Sequence, residues 1–254
     1  MKSIEQEHSN GVEIWRFAHG KVSALDLEFL SALDAALAAA ERAPARAYVW
    51  TGTGNAFSAG VDLFRILQGG TAYVEQFLPL LSAVLRRAFA FPHPVVAAVN
   101  GHAIAGGCLL VCAADLRLMG AGNGRVGVPE LRVGVPFPAI ALEMLRFATG
   151  GRGVQDVVLG GATWLPDEAV QRGLIDQVVP AADLQATARA AAESLGSIPA
   201  AAFALGKQQL RRPVLEQAER FEREWGAAAM AQWCAPETHA VIRAYLDRTV
   251  GKKA

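Results

Sequence analysis

The chain has 254 residues, of which 52% are hydrophobic and 19% are charged, and its 24 basic residues balance its 24 acidic ones. An apolar fraction of this size excludes a disordered chain and supports one large domain, or a core with an appendage. A formal charge of zero gives no long-range attraction to nucleic acid or to an anionic bilayer, so neither partner is expected.

Hydrophobic periodicity predicts strands alternating with helices along the first 182 residues. In chain order, the pattern predicts strands at 2–8 and 12–18, a helix at 26–42, a strand at 45–51, a helix around 74–85, strands at 95–99 and 116–119, helices at 136–148, 154–159 and 166–172, and a strand at 175–179. Beyond residue 182 only helical periodicity remains, with apolar positions from Val214 to Trp225 on one face. We therefore expect an α/β core over residues 1–182 and a helical C-terminal region over residues 183–254.

The stretch from Val95 to Ala114 is long enough to span a bilayer, since its twenty residues carry no formal charge. Its middle, however, holds Asn100, His102 and three glycines, and polar groups at that depth are costly in lipid. A buried strand, a tight loop and a buried helix are therefore the favoured interpretation.

Three cysteines in a chain of this length argue against a disulfide scaffold and favour a reducing compartment. Cys108 and Cys112 lie four residues apart in apolar sequence, which is typical of buried thiols. The five histidines are scattered without ligand spacing, so no metal site is expected. Neither end matches a secretory or peroxisomal signal, and the expected location is cytoplasmic.

One glycine-rich segment matches a dinucleotide-binding pattern only weakly. Residues 122–127 read G-N-G-R-V-G. The chain then continues through Val128, Pro129 and Glu130 instead of opening a helix on which a phosphate would sit. A glycine loop is the simpler interpretation.

Two segments, 55–63 and 100–110, share a form that carries chemistry. Each follows an apolar strand, turns on small residues and leads into an apolar helical stretch. The first turn of a helix presents N–H groups without intrahelical partners, and glycine lets a ligand approach that backbone closely. Two such turns facing each other would hold one oxygen between two N–H donors, as an oxyanion hole does for a carbonyl that becomes an enolate. Either turn alone is better explained by ordinary strand-to-helix packing.

Three ordered motifs together resemble those of the crotonase (enoyl-CoA hydratase/isomerase) superfamily, over about residues 12–215. They are Phe57-Ser58-Ala59-Gly60-Val61-Asp62, then Asn100-Gly101 with Ala105-Gly106-Gly107-Cys108, then Gly127-Val128-Pro129-Glu130. The stretch from Trp164 to Pro180 is also similar. The resemblance implies a crotonase-like α/β spiral of ββα turns, with a helical C-terminal region that builds a homotrimer or a dimer of trimers.

The resemblance also implies roles for residues of these motifs. The substrate would be an acyl-CoA thioester, with no permanently bound cofactor, and the N–H groups of Val61 and Gly106 would hold its carbonyl oxygen. Substrate-binding positions would be Phe57, Ser58, Ala59, Gly60, Asp62, Gly107 and Leu109. Lys207, Arg211 and Arg212 are candidates for phosphate contacts, although a solvated helix face is the simpler interpretation of each.

The resemblance implies that the reactions of this family differ in the acid–base residues that they need. Its hydratases resemble one another in two glutamates, and the two matching positions here hold Leu109 and Glu130. Adding water needs a water molecule held by both carboxylates, whereas a 1,3-proton shift needs one base that takes a proton from C2 and returns it at C4. A single catalytic Glu130 therefore favours a Δ3,Δ2-enoyl-CoA isomerase, and a solvated carboxylate at a strand end is the alternative interpretation of this residue.

Two other functions stay open. One is an enoyl-CoA hydratase or another crotonase-type enzyme with one glutamate, and the other is a catalytically silent acyl-CoA-binding oligomer. Turnover of 3-enoyl-CoA against 2-enoyl-CoA would separate the first from an isomerase, and tight binding without turnover would indicate the second.

Overall fold

Strands and helices alternate up to residue 179, and only helices follow, in the computed structural model, which describes residues 2–43, 45–151 and 153–249. The strands are β1 (Ile4–Ser9), β2 (Val12–Phe17), β3 (Ala47–Thr51), β4 (Ala56–Ser58), β5 (Val95–Val99), β6 (His102–Ile104), β7 (Leu116–Gly120), β8 (Val126–Gly127), β9 (Thr163–Trp164) and β10 (Gln177–Val179). The α-helices are α1 (Leu27–Ala40), α2 (Leu63–Ala90), α3 (Gly106–Ala113), α4 (Ala139–Ala148), α5 (Val154–Gly160), α6 (Pro166–Gln171), α7 (Leu184–Gly196), α8 (Ala200–Cys234) and α9 (Pro236–Thr249). Short 3₁₀ helices lie at Glu130–Val133 and Ala181–Asp183.

The strands form two sheets that the chain visits alternately. The first has the order β1-β2-β3-β5-β7-β10 and is parallel except for the antiparallel pair β1–β2. The second has the order β4-β6-β8-β9, in which only β9 runs antiparallel to its neighbour. The successive units β3-β4-α2, β5-β6-α3 and β7-β8-α4 each place one strand in each sheet before a helix completes the turn. This is the spiral of ββα turns that the resemblance to the crotonase superfamily implies.

Central strands of the first sheet are buried on both faces, as parallel strands covered by helices require. Every residue of β3 and β5 is buried. Side chains on one face, such as Val49 and Val96, pack with Leu184 of α7, while those on the other, such as Trp50, join the main core with α1 and α2. The sheet therefore lies between α7 on one face and the main core with α1 and α2 on the other.

The three-residue strands β4 and β6 are the main feature that periodicity did not predict. The sequence predicts turns that lead from β3 and β5 directly into helices, but a short strand of the second sheet stands in each connection. Three residues are too few to show an alternating pattern, and their pairing partners come from other turns of the spiral. The predicted strand at 95–99 and the predicted helix at 26–42 are confirmed, the latter as α1.

α2 is longer than its periodicity predicts, because it consists of two helical segments joined at Gly70. The apolar positions from Val74 to Leu85 mark only the second segment. Gly70 has φ 57° and ψ −151°, a conformation that glycine adopts without strain. The first segment begins after Asp62, whose side chain caps it, and the kink at Gly70 separates it from the second segment.

Lys207 and Arg211 are structural residues, which corrects their expected role as phosphate contacts or solvated side chains. Both are buried, and both pair with Asp115, at 2.6 Å from Lys207 Nζ and 2.7 Å from Arg211 Nη2. Arg211 also donates to carbonyl groups at the ends of α2 and α3. These bonds tie α8 to the core, whereas Arg212 is exposed and pairs with an acidic neighbour on its own helix.

α8 packs on the spiral at some positions and is exposed to solvent at others. Ala218 of α8 is buried, whereas Trp225, expected on the same apolar face, is 59% exposed. The division into a core over 1–182 and a helical region over 183–254 stays a prediction, and residues 250–254 of that region lie outside the described part of the chain. Among the described helices, none has a stretch long and apolar enough to cross a bilayer.

Candidate active site

Asn100 ties together the corners at which β3 and β5 leave the first sheet. Its side-chain oxygen accepts from the Gly52 N–H at 2.8 Å, and its side-chain amide donates to the Gly54 carbonyl at 3.1 Å. Gly101 lies so close to Asn55 that a Cβ atom would be 2.0 Å from the Asn55 carbonyl oxygen. Because no larger residue fits at this point, the two predicted glycine turns are held side by side.

The two turns touch each other at Gly60 and Gly106. A Cβ atom on Gly60 would lie 2.5 Å from the Ile104 carbonyl oxygen and 3.2 Å from the Gly106 nitrogen. Leu25 supports this contact, since its N–H donates to the Gly60 carbonyl at 2.7 Å and its side chain packs against Gly106. The sequence expectation that segments 55–63 and 100–110 form one site therefore has a direct geometric basis.

Each turn presents one N–H group directly after a residue with positive φ. Gly60, with φ 82°, precedes Val61, and Ala105, with φ 53°, precedes Gly106. A positive φ is uncommon for alanine, and such strain concentrates at functional sites. Within the described residues, neither the Val61 nor the Gly106 N–H has a hydrogen-bond acceptor. Gly106 is also the first residue of α3, so its N–H lies at the positive end of the helix dipole.

A cavity of about 390 Å³ adjoins these two turns. Ala59, Val61 and Asp62 line it from the first turn, and Ile104 and Ala105 line it from the second. Most of its other walls are apolar, and they include Val22, Ala24, Phe64, Val133, Val135 and Trp233. The arrangement suits a ligand that has one polar group at the turns and an apolar remainder.

Glu130 lines the same cavity as the first residue of a 3₁₀ helix. It is 7% exposed, and its Oε2 atom is buried without a hydrogen-bond partner in the described part of the chain. Removal from water disfavours the charged form, and this burial raises the pKa of Glu130 to about 8. A carboxyl group with such a pKa is suited to taking and returning a proton near neutral pH.

The second carboxyl group along the described cavity wall, Asp62, serves the structure. Its Oδ1 atom accepts from the N–H groups of Phe64 and Arg65 at 3.0 and 3.1 Å. Leu109, at the position where the resemblance expects a second glutamate in a hydratase, is a buried residue of α3. The described cavity therefore offers one carboxyl group, Glu130, for acid–base chemistry.

Several predicted binding residues do not line the cavity. Phe57 and Ser58 are fully buried: the Phe57 ring packs edge-on against Phe17, and the Ser58 hydroxyl donates to the Ser23 carbonyl at 2.7 Å. Gly107 packs directly against Ser58. In the structure these residues shape the two turns, and their predicted contact with substrate stays a prediction.

Trp233, Tyr245 and Leu246 line the cavity from α8 and α9, and sequence reasoning did not assign them to the site. Trp233 lies in the last turn of α8, and its ring N–H donates to the Pro136 carbonyl at 2.8 Å. The available signal was an aromatic residue beyond the last amphipathic helix. Nothing in the local sequence indicates that the following helix returns to the glycine turns.

Comparison with known proteins gives a family match over nearly the whole chain. A family model described as enoyl-CoA hydratase/isomerase matches residues 7–246. The human protein named enoyl-CoA delta isomerase 1, mitochondrial, is 30% identical over 213 residues, which cover 82% of this chain and 70% of that protein. The short-chain-enoyl-CoA hydratase of Clostridium acetobutylicum is 29% identical over 208 residues, which cover 80% of this chain and 79% of that protein.

Solved structures agree with the expected fold. Human mitochondrial delta3-delta2-enoyl-CoA isomerase superposes with a TM-score of 0.93 at 26% identity, covering 99% of this chain and 100% of that chain. An enoyl-CoA hydratase/isomerase from Xanthobacter autotrophicus Py2 gives a TM-score of 0.85 at 26% identity, covering 98% of this chain and 94% of that one. The crotonase-like fold predicted from the three motifs is thereby confirmed, while relatives named for isomerisation and for hydration match at similar identity.

Proposed function

The chain belongs to the enoyl-CoA hydratase/isomerase family, and we propose that within this family it is an isomerase that converts 3-enoyl-CoA to 2-enoyl-CoA. Ionised Glu130 removes a proton from C2 of the thioester. The electron pair moves into the thioester carbonyl, and the resulting enolate oxygen accepts hydrogen bonds from the Val61 and Gly106 N–H groups. Protonated Glu130 then delivers the proton to C4, the double bond moves to C2–C3, and the enzyme returns to its starting state.

The observation that carries this proposal is the isolation of Glu130. It is the described carboxyl group in the cavity that has no structural role, and its Oε2 atom has no partner there. One such group is sufficient for a proton shift, since the same acid acts at both carbons. Its pKa of about 8 keeps both protonation states accessible near neutral pH.

Leu109 argues against efficient hydration. Addition of water to C3 needs a water molecule that is held and polarised beside the double bond. The residue at this position of α3 is a buried leucine that is not among the residues lining the described cavity, so it offers water no hydrogen bond there. The single carboxyl group then has no partner with which to share the work of activating water.

The two N–H donors supply the larger part of the proposed catalysis. Donors that are fixed before the reaction stabilise the enolate oxygen without reorganisation, and the loss of one such donor typically costs about 3 kcal/mol of barrier. Here both donors are set by strained or glycine-specific backbone at Ala105 and Gly60. The proposal needs no permanently bound cofactor, and the CoA thioester enters as substrate along the Ala59–Asp62 turn.

An assay of 3-enoyl-CoA and 2-enoyl-CoA on the same enzyme preparation tests the proposal. We expect rapid conversion of 3-enoyl-CoA, measured as conjugated thioester formed at a fixed ultraviolet wavelength, and much slower loss of 2-enoyl-CoA to hydration. Faster hydration than isomerisation would assign the chain to the hydratases. Binding of both thioesters without any turnover would indicate a catalytically silent binder and contradict the proposal.

A further inference from the structure

Trp233 separates the catalytic cavity from a second cavity. It lines the cavity of about 390 Å³ that holds Glu130 and also a neighbouring cavity of about 310 Å³ between α2 and α8. The indole is 2% exposed, so its ring is enclosed by protein. The Trp233 side chain thus lines both cavities. The cavity between α2 and α8 has no part in the proposed reaction.

Two contacts hold Trp233 in place, one through its ring and one through its main-chain carbonyl. The ring N–H donates to the Pro136 carbonyl at 2.8 Å, and the Trp233 carbonyl lies 3.0 Å from Nε2 of His239 on α9. Pro136 follows closely on the segment that carries Glu130, Val133 and Val135. The hydrogen bond to Pro136 therefore fixes the indole relative to the segment that carries Glu130.

The second cavity has an apolar floor suited to a hydrocarbon chain. Leu78, Pro79, Pro138 and Met230 line it, and its polar part comes from Ser82, Arg86 and Glu222. Arg86 forms an ion pair at 3.0 Å with a glutamate on α8. A chain that passed Trp233 would find apolar surface, but only if the indole were displaced.

The direction of the acyl chain follows from the proposed chemistry. The Val61 and Gly106 N–H groups hold the oxygen on C1, and Glu130 must reach both C2 and C4. Val133, Val135 and Trp233 line the same cavity as Glu130, and we take the carbons beyond C4 to continue along them.

Resting on the proposed function, we propose that Trp233 sets the length of acyl chain that the catalytic cavity encloses and keeps the remainder of a longer chain out of the second cavity. For acyl chains that end before they reach the indole, each additional buried methylene strengthens binding by roughly fourfold. In longer chains, the methylenes beyond the indole stay in water and do not increase the affinity.

The test is the affinity of saturated acyl-CoA thioesters, which bind but cannot isomerise, measured by calorimetry from four to twelve carbons. We expect wild-type affinity to rise and then level off at an intermediate length. In Trp233→Ala the rise continues, so the longest chains gain about tenfold or more while butanoyl-CoA changes little. Trp233→Leu, which fills more of the space, gives an intermediate gain and guards against misfolding of the alanine variant.

Two further variants separate this role from general loosening of the fold. Trp225→Ala removes an exposed tryptophan of the same helix and should leave the length profile unchanged. Adding Ser82→Phe, which partly fills the second cavity, to Trp233→Ala should reverse the gain for long chains. An unchanged length profile in both Trp233 variants, with short thioesters still bound, overturns this inference alone, whereas failure of every thioester to bind the wild type overturns the proposed function and this inference with it.

Discussion

Two regions of the molecule bury ionisable side chains. In one region the buried groups form ion pairs, and in the other the buried carboxyl group has no ionic partner among the described residues. In the Asp115 cluster, formed by Asp115, Lys207 and Arg211, each charge faces an opposite charge at 2.6 or 2.7 Å. In the catalytic cavity, Glu130 is buried to a similar degree, but one of its oxygen atoms has no partner among the described residues. The first arrangement holds helices together, and the second keeps a proton available for chemistry.

Burial disfavours the charged form in both regions, but only one of them has an opposing attraction. It lowers the pKa of Lys207 to about 8, against the attraction of Asp115. It raises the pKa of Glu130 to about 8 with no ionic partner to oppose it. Protonated Lys207 is held by its ion pair with Asp115, whereas the proton on Glu130 is held only by desolvation and can pass to a substrate carbon.

The largest expected effect is on activity, from Glu130→Gln. This change keeps the shape but removes the base, so isomerisation should fall by roughly 10²–10⁴-fold while saturated acyl-CoA thioesters bind within a few-fold of wild type. Steady-state kinetics and calorimetry measure the two quantities. Glu143→Gln, at a buried glutamate that pairs with Arg146, is the matched control and should keep normal turnover. Near-normal turnover of Glu130→Gln would show that another group moves the proton.

The next effect is on stability, from Asp115→Ala. Removing the shared acid leaves two cations buried without a partner, which should lower the free energy of unfolding by about 3–5 kcal/mol. Urea denaturation measures this loss, and turnover per folded molecule should stay close to wild type because the cluster does not line the catalytic cavity. A loss below about 1 kcal/mol would mean that the cluster is solvated and does not anchor α8.

A smaller effect is expected in the pH dependence of stability. Between pH 4.5, the ordinary pKa of glutamate, and about 8, folded Glu130 keeps a proton that the unfolded chain has lost. The stabilising contribution of this proton is present below pH 4.5 and is lost as pH rises toward 8. Glu130→Gln should therefore gain stability relative to wild type over this window, by a few kcal/mol at most. Parallel pH profiles of the two proteins would contradict an elevated pKa.

Much of the fold could be predicted, because buried positions of strands and helices recur as apolar residues at regular spacings in the sequence. β5 is apolar at each of its five residues and α1 repeats leucines at helical spacing, so both were found. The short strands β4 and β6 were missed, because three residues carry no period and their partners are distant along the chain. The break in α2 at Gly70 was missed for a similar reason, since a glycine inside a polar stretch does not reveal its φ.

In the candidate site, too, some residues could be predicted from the sequence and others could not. Glu130 and the glycine turns carry short, ordered motifs, and the structure brings the turns into contact and gives Glu130 the same cavity. Trp233 and Tyr245 could not be assigned, because their place depends on how α8 and α9 pack on the spiral. Lys207 and Arg211 were misread, since a buried ion pair and a solvated helix face use the same residue types.

The pH dependence of kcat/KM for 3-enoyl-CoA tests the central claim most directly, because it reports the pKa of the catalytic base in the free enzyme. If unpaired burial makes Glu130 the base, kcat/KM should rise about tenfold per pH unit on the acid side and level off above a midpoint near 8. A profile that is flat from pH 6 to 9, or one with its midpoint near 4.5, would mean that the base is an ordinary solvated carboxylate and would contradict the account.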